Sequence, residues 1–200
     1  MYKRQFLGFS DTTVNHLMLH KLGLPTFYGQ AFLSDVCEIA DTMLPYTERY
    51  FTELLHTGAI RQVTPSPVWY DGRTDFSPAA VGSAMPAHPN AGFELWQGPA
   101  RFEGKILGGC IDTLFDLFDN TRYADSVETC ARYGLFPTLE DWRGKILLLE
   151  SSEEQPAPEK YRRMVEALKQ AGVFSAVSGV LVGKPMDEKY AGDYRRILCE

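Results

Sequence analysis

Near the N-terminus the chain reads Phe6-Leu7-Gly8-Phe9-Ser10-Asp11-Thr12-Thr13, then places Val14, Leu17, Met18 and Leu22 at helical spacing before Gly23 and Pro25. A short apolar strand that passes through Gly-x-Ser directly into a helix restricts the fold more than any other feature. It demands a tight turn at a sheet edge and a helix packed back on that sheet. Later segments repeat the alternation. Lys105–Leu107, Lys145–Leu149 and Val177–Val182 read as strands. Ile111, Leu114, Phe115 and Phe118 mark one helix, and Tyr161, Met164, Val165 and Leu168 another, opened by Pro158 and closed by Gly172. Strands alternating with helices predict an α/β or mixed sheet.

Between these halves, Pro45 opens a helix over Tyr46–His56 whose apolar face is Tyr50, Phe51, Leu54 and Leu55, with Gly58 as its stop. Six of the twelve prolines then fall between Pro65 and Pro99, together with Gly72, Gly82, Gly92 and Gly98. This stretch predicts a long loop, functional or at a junction. The expected organisation is therefore residues 1–64, the remainder of an N-terminal α/β domain with the turn at Ser10; a linker and substrate loop, 65–99; and an incomplete C-terminal domain, 100–200. Met1 leads within two residues into a strand and Glu200 falls in a helical pattern, so both ends read as cut.

With 200 residues, a chain of this kind buries roughly 70% of its unfolded surface and needs no metal or disulfide to fold. No apolar run is long enough for a membrane span. The formal net charge of −6 disfavours a phosphate backbone as partner. Cys37, Cys110, Cys130 and Cys199 have no metal-site spacing, and reduced thiols in a cytoplasm fit them best. Residues 1–30 lack the apolar core of a signal peptide.

Ser10 is the leading candidate for chemistry. The turn would lift its hydroxyl to the sheet edge, and the N–H groups at the start of the following helix, the Asp11 N–H first, would stabilise an oxyanion there. The usual elbow has glycine two places after the serine, whereas Thr12 stands here. The same residues also read as a simple helix N-cap, Ser10 or Asp11. Glu150 ends the apolar run Ile146–Leu149, where ligands meet open α/β sheets, and could orient a histidine. Glu153 and Glu154 compete with it for that role. Of the histidines, His16 and His20 lack the metalloprotease glutamate and read as surface or partly packed, His56 suits a helix C-terminus, and His88 lies in the long loop. Gly98–Lys105 fails as a phosphate loop, and Gly108-Gly109 reads as a close backbone approach. Trp69, Tyr70, Phe76 and Trp96 could stack on a flat substrate group or pin the loop.

Four segments occur in a recognisable order: Gly8-Phe9-Ser10-Asp11-Thr12-Thr13, Leu24-Pro25-Thr26-Phe27-Tyr28-Gly29, Gly104-Lys105-Ile106-Leu107-Gly108-Gly109-Cys110 and Gly144–Glu150. In these the chain resembles the LD-carboxypeptidase family of serine peptidases. Gly172–Pro185, with Asp187, Glu188 and Tyr190, looks closer to the microcin C self-immunity branch than to the murein-recycling branch. The resemblance implies an α/β N-terminal domain, a C-terminal domain with a β-barrel-like core, and a homodimer. It implies a Ser-His-Glu triad in which Ser10 and Glu150 match, the Asp11 N–H as oxyanion donor, and substrate contacts at Trp69 and Phe76. Gln30 stands where the family often has proline. The family's glycine pair before the elbow and its Gly-His segment have no match among the 200 residues.

The expectation is a serine carboxypeptidase or amidase acting on a small peptide-like substrate, either a murein peptide or an aminoacyl-nucleotide of the microcin type. Its histidine would lie outside this chain, leaving this chain inactive as it stands. No metal or organic cofactor is implied. The alternative is a shortened, non-catalytic binding or assembly module.

Overall fold

A computed structural model of the protein describes residues 6–200. In chain order the elements are β1 (Leu7–Gly8), a 3-10 turn (Ser10–Thr12), α1 (Thr13–Lys21) and β2 (Phe27–Tyr28), then α2 (Pro45–Thr57), β3 (Val68–Tyr70) and β4 (Ala87–Pro89). There follow β5 (Ile106–Cys110), α3 (Ile111–Phe115), α4 (Ser126–Tyr133), α5 (Leu139–Trp142), β6 (Ile146–Glu150), α6 (Pro158–Gln170), α7 (Val173–Ala176), β7 (Gly179–Val182) and α8 (Ala191–Cys199). The chain forms two compact units. One joins the segment up to Tyr28 with Trp96–Glu200, and the other is Gly29–Leu95. The boundaries expected at 64 and 99 follow chain order, whereas the first unit gathers residues from both ends.

In the first unit, β5, β6 and β7 make a parallel sheet with β6 in the centre. The register sets Gly108 opposite Leu148, Cys110 opposite Glu150 and Leu149 opposite Val182. A central parallel strand is covered on both faces, which is why Ile146–Leu149 is continuously apolar rather than alternating. Leu147 and Leu149 are fully buried with Ile111, Leu114 and Trp142. α6 contributes Tyr161, Met164, Val165 and Leu168, the stripe its spacing predicts. Tyr161 stacks on Tyr194 of α8 with ring centroids 3.8 Å apart. The fold is mixed α/β with parallel pairing. The expected barrel-like core is not seen: the sheets are open, and among the described residues none closes on itself.

β5 runs through Gly108 and Gly109, beyond the predicted end at Leu107. Both glycines have positive φ, +137° and +149°. A Cβ on Gly108 would lie 2.1 Å from the Leu148 carbonyl oxygen, and one on Gly109 2.5 Å from Thr13 Oγ1. The pair therefore serves close backbone approach, as its sequence suggests.

β1 and β2 pair in parallel, Leu7 with Phe27 and Gly8 with Tyr28. His16, expected at the surface or partly packed, is buried. Its Nδ1 lies 2.7 Å from Thr26 Oγ1 and its Nε2 3.1 Å from the Gly8 carbonyl, so it ties α1 to both strands. Burial holds its pKa below the usual imidazole value. α4 and α5 were not predicted. Thr138 and Asp141 close a capping box on α5.

In the second unit, α2 buries Tyr50 and Leu54 and ends at Gly58 in the left-handed region. The stretch 65–99 holds more order than a loop: β3 and β4 form an antiparallel pair with Trp69 opposite His88. The Arg73 guanidinium and the Glu38 carboxylate form an ion pair with both side chains less than a tenth exposed.

Gly108→Ala should lower the unfolding free energy by at least ~1–3 kcal/mol, from backbone strain plus collision with Leu148. Gly192→Ala, in α8 with open space around its Cβ, should be neutral or stabilising by up to ~1 kcal/mol. Denaturant melts of the two variants check the contrast.

Candidate active site

Phe9 is extended, and Ser10 then turns into the left-handed region at φ +56° before α1 begins. A non-glycine residue held there is strained and must be fixed by its surroundings. Four side chains fix it, three of them distant in sequence. The Ser10 N–H donates to the Tyr28 hydroxyl at 2.9 Å and to Glu150 Oε1 at 3.2 Å. Its carbonyl accepts the Thr13 hydroxyl at 2.6 Å and the Thr113 hydroxyl at 3.4 Å. Thr12, at the place where an elbow usually has glycine, folds back to donate to the Phe9 carbonyl at 2.8 Å. A Cβ on Gly8 would lie 2.6 Å from Thr12 Oγ1, so the first glycine of the motif makes room for the threonine in the third position.

Glu150 arrives from the last position of β6. Its Oε1 accepts both the Ser10 N–H and the Tyr28 O–H. Burial raises its pKa, opposed by these two hydrogen bonds to the charged form and reinforced by the nearby charges of Glu153 and Asp112; the net shift is upward. Burial, then the Glu150 charge beside it, pushes the Tyr28 phenol far up. Among the three acids considered, Glu150 is the one that meets the serine. Glu154 pairs with Lys160 at 3.6 Å.

Ser10 borders a cleft of about 240 Å³ that is also lined by Cys110, Asp112, Ser152, Lys160 and Arg122. Asp112, 7% exposed, accepts the Ser152 N–H at 3.0 Å and pairs with Lys160 at 3.5 Å. It thereby ties the start of α3 to the loop just after Glu150. The Cys110 thiol is pushed up to about 11, chiefly by burial, so at neutral pH it is no nucleophile. The Asp11 carboxylate turns outward to Arg122, at 3.1 and 3.3 Å.

The structure thus brings together Ser10, Asp11 and Glu150. Trp69 and Phe76 belong to the second unit. There Trp69 stacks on His88 with centroids 4.4 Å apart, and Phe76 is 75% exposed. His88 Nε2 lies 2.7 Å from Asp71 Oδ1. Tyr28, Thr13 and Asp112 were not singled out from sequence. The signal for Tyr28 lay in the Thr-Phe-Tyr-Gly segment itself. Asp112 stood three places after the Gly-Gly pair, at a helix start. Among the described residues no group of acids, histidines and cysteines is placed to hold a metal ion. Among the described residues no helix is long and apolar enough to cross a membrane.

Residues 103–199 match the LD-carboxypeptidase C-terminal domain. The whole chain superposes on an MccF-like protein from Streptococcus pneumoniae, solved in complex with AMP, with 58% identity and a TM-score of 0.97. The chain carries the C-terminal domain of the LD-carboxypeptidase family. It spans 58% of the length of that relative. An MccF-like protein from Bacillus anthracis str. Ames matches 98% of the chain with 26% identity and a TM-score of 0.71, the chain spanning 54% of it. The microcin C7 self-immunity protein MccF, solved with aspartyl sulfamoyl adenosine, shares the fold over 96% of this chain and 55% of its own, at 21% identity and a TM-score of 0.67. No curated protein matches the chain significantly.

Because the folded-state pKa of Glu150 lies above its ordinary value, its protonation favours the fold, and that contribution is lost as pH rises through the folded pKa. Glu150→Gln should therefore melt at or above the wild-type temperature at neutral pH, with the gap closing below pH ~4.5; thermal melts across pH check this. In native protein at pH ~8.5, iodoacetamide should modify the exposed Cys37 and Cys199 and spare buried Cys110, read by peptide mass spectrometry.

Proposed function

We propose that the protein is a serine amidase of the carboxypeptidase type, with Ser10 as nucleophile and Glu150 as the acid of a Ser-His-Glu triad whose imidazole comes from outside these 200 residues. The observation that carries the reading is the left-handed Ser10 with its amide on the Glu150 carboxylate. The strained turn and the half-buried strand-end acid meet at one residue.

In this reading the Ser10 hydroxyl attacks the acyl carbon of an amide, its proton passing to the imidazole. The tetrahedral oxyanion is held by the Asp11 N–H at the start of the helical segment. Collapse breaks the C–N bond, and the imidazole returns the proton to the leaving nitrogen. Water then hydrolyses the acyl-enzyme by the same steps in reverse roles. Glu150 stays ionised, orients the imidazole and stabilises its positive form.

The substrate class is a small aminoacyl compound joined to a nucleotide. The AMP complex of the 58% identical relative favours a nucleotide over a murein peptide. Trp69, already stacked on His88, is the proposed aromatic platform for its base, with Phe76 as a second contact. The resemblance also carries the expectation of a homodimer.

In the full-length protein, a fluorophosphonate should label the Ser10 peptide, and Ser10→Ala should abolish both labelling and amide hydrolysis, a loss of at least ~10³-fold. Labelling undiminished in Ser10→Ala overturns the proposal. Tight AMP binding without hydrolysis would mark the chain as a binding module.

A further inference from the structure

We infer that Tyr28 is a positioning residue of this site: its hydroxyl couples the strained backbone of Ser10 to the carboxylate of Glu150 and fixes which carboxylate oxygen is left to meet a base. The inference rests on reading Glu150 as the triad acid.

The geometry is a three-way junction. The phenol oxygen accepts the Ser10 N–H at 2.9 Å, donates its own proton to Glu150 Oε1, and lies 3.3 Å from Thr13 Oγ1. The directions are determined by chemistry. A backbone N–H can only donate and an ionised carboxylate can only accept, so the phenol must accept from the first and donate to the second. Oε1 thereby carries two donors, Tyr28 O–H and Ser10 N–H. Among the described residues none donates to Oε2. A carboxylate held by one oxygen through two donors cannot rotate without breaking both bonds, and it presents the other oxygen in a constant direction. That is the requirement for orienting an imidazole.

Tyr28 is placed for this by β-pairing rather than by loop geometry. Its Cα pairs with that of Gly8, two residues before the serine. A Cβ on Gly109 would lie 2.8 Å from the Tyr28 ring, so the absence of a side chain there gives the phenol its path to the carboxylate. Tyr28 is half-buried, which reduces competition from water for its hydroxyl.

The ionisable groups around Glu150 are Tyr28 on β2, Asp112 on α3, Glu153 on the loop after β6 and Cys110 on β5. The carboxylates of Asp112 and Glu153, and the Cys110 thiol when charged, disfavour ionisation of Glu150. The hydrogen bonds from the Tyr28 O–H and the Ser10 N–H favour it. Removing the Tyr28 hydroxyl should move the Glu150 titration to higher pH, an effect that lost packing alone would not produce.

The test is a 13C titration of the Glu150 carboxyl in glutamate-labelled protein, the resonance assigned with Glu150→Gln. In Tyr28→Phe, folded by circular dichroism, the titration should move to higher pH; an unmoved titration overturns the inference. If Tyr28→Phe does not fold, 3-fluorotyrosine at position 28 keeps the ring and hydroxyl but donates more strongly. The Glu150 titration should then move to lower pH, and no movement overturns the inference. In full-length enzyme that turns over, Tyr28→Phe should lower kcat about 10-fold or more with KM little changed; a change confined to KM overturns the positioning role. The titration needs no turnover. A moved titration with Ser10 unlabelled by fluorophosphonate would therefore remove the hydrolase reading while leaving the Tyr28–Glu150 coupling in place.

Discussion

The site depends on a serine amide that is given to a carboxylate. A left-handed residue other than glycine costs about 1–2 kcal/mol. Against that, Ser10 receives hydrogen bonds on both backbone groups, and one of them goes to a carboxylate. Bonds to a charged group are each worth about 1.5–3 kcal/mol and neutral ones about 0.5–1.5. The balance is favourable only when all the partners have arrived. Thr13 is local, but the others come from β2, α3 and β6, so the turn is an outcome of tertiary structure and its local sequence alone would not hold it.

This dependence explains what could be read in advance. The apolar runs of β5 and β6 and the stripes of α2 and α6 were legible because burial on one or both faces imposes a period on the sequence. Ser10 and Glu150 were legible because each sits where such a run ends. Tyr28 was not, since β2 is two residues long and has no period to detect. Its role lies in a contact with Glu150, 122 residues away. His16 was read as surface or partly packed because no metal motif surrounds it, and nothing local shows that its two ring nitrogens are spent on Gly8 and Thr26. The β3–β4 pair was hidden by the prolines around it. Pro89 lies at its end, where a missing N–H is tolerated.

The electrostatics of the cleft are arranged by pairing more than by net charge. Asp112 is buried beside Lys160, which also reaches Glu154, and Arg122 bridges Asp11 and Asp116. Glu150 alone among these acids is met by a phenol and an amide instead of a cation. A cation there would hold the carboxylate ionised but would compete with an incoming imidazole for its charge. Neutral donors on one oxygen stabilise the charge and leave it available on the other.

The same logic accounts for the small residues at the tip of β5. That strand lies beside β6, and its tip meets the start of α1: the Cys110 N–H donates to Thr13 Oγ1 at 3.0 Å. For Glu150 to touch Ser10 and Tyr28, side chains must cross this tip. Adjacent strands stand about 4.8 Å apart, which a glutamate can span and a shorter aspartate would span with less reach. The crossing is open because Gly109 projects nothing toward Thr13 or the Tyr28 ring, where a Cβ would collide with both. Gly-Gly-Cys and a strand-ending glutamate, 40 residues apart in the chain, are therefore two halves of one steric condition. The glycine spends its side chain so that the carboxylate can use its own.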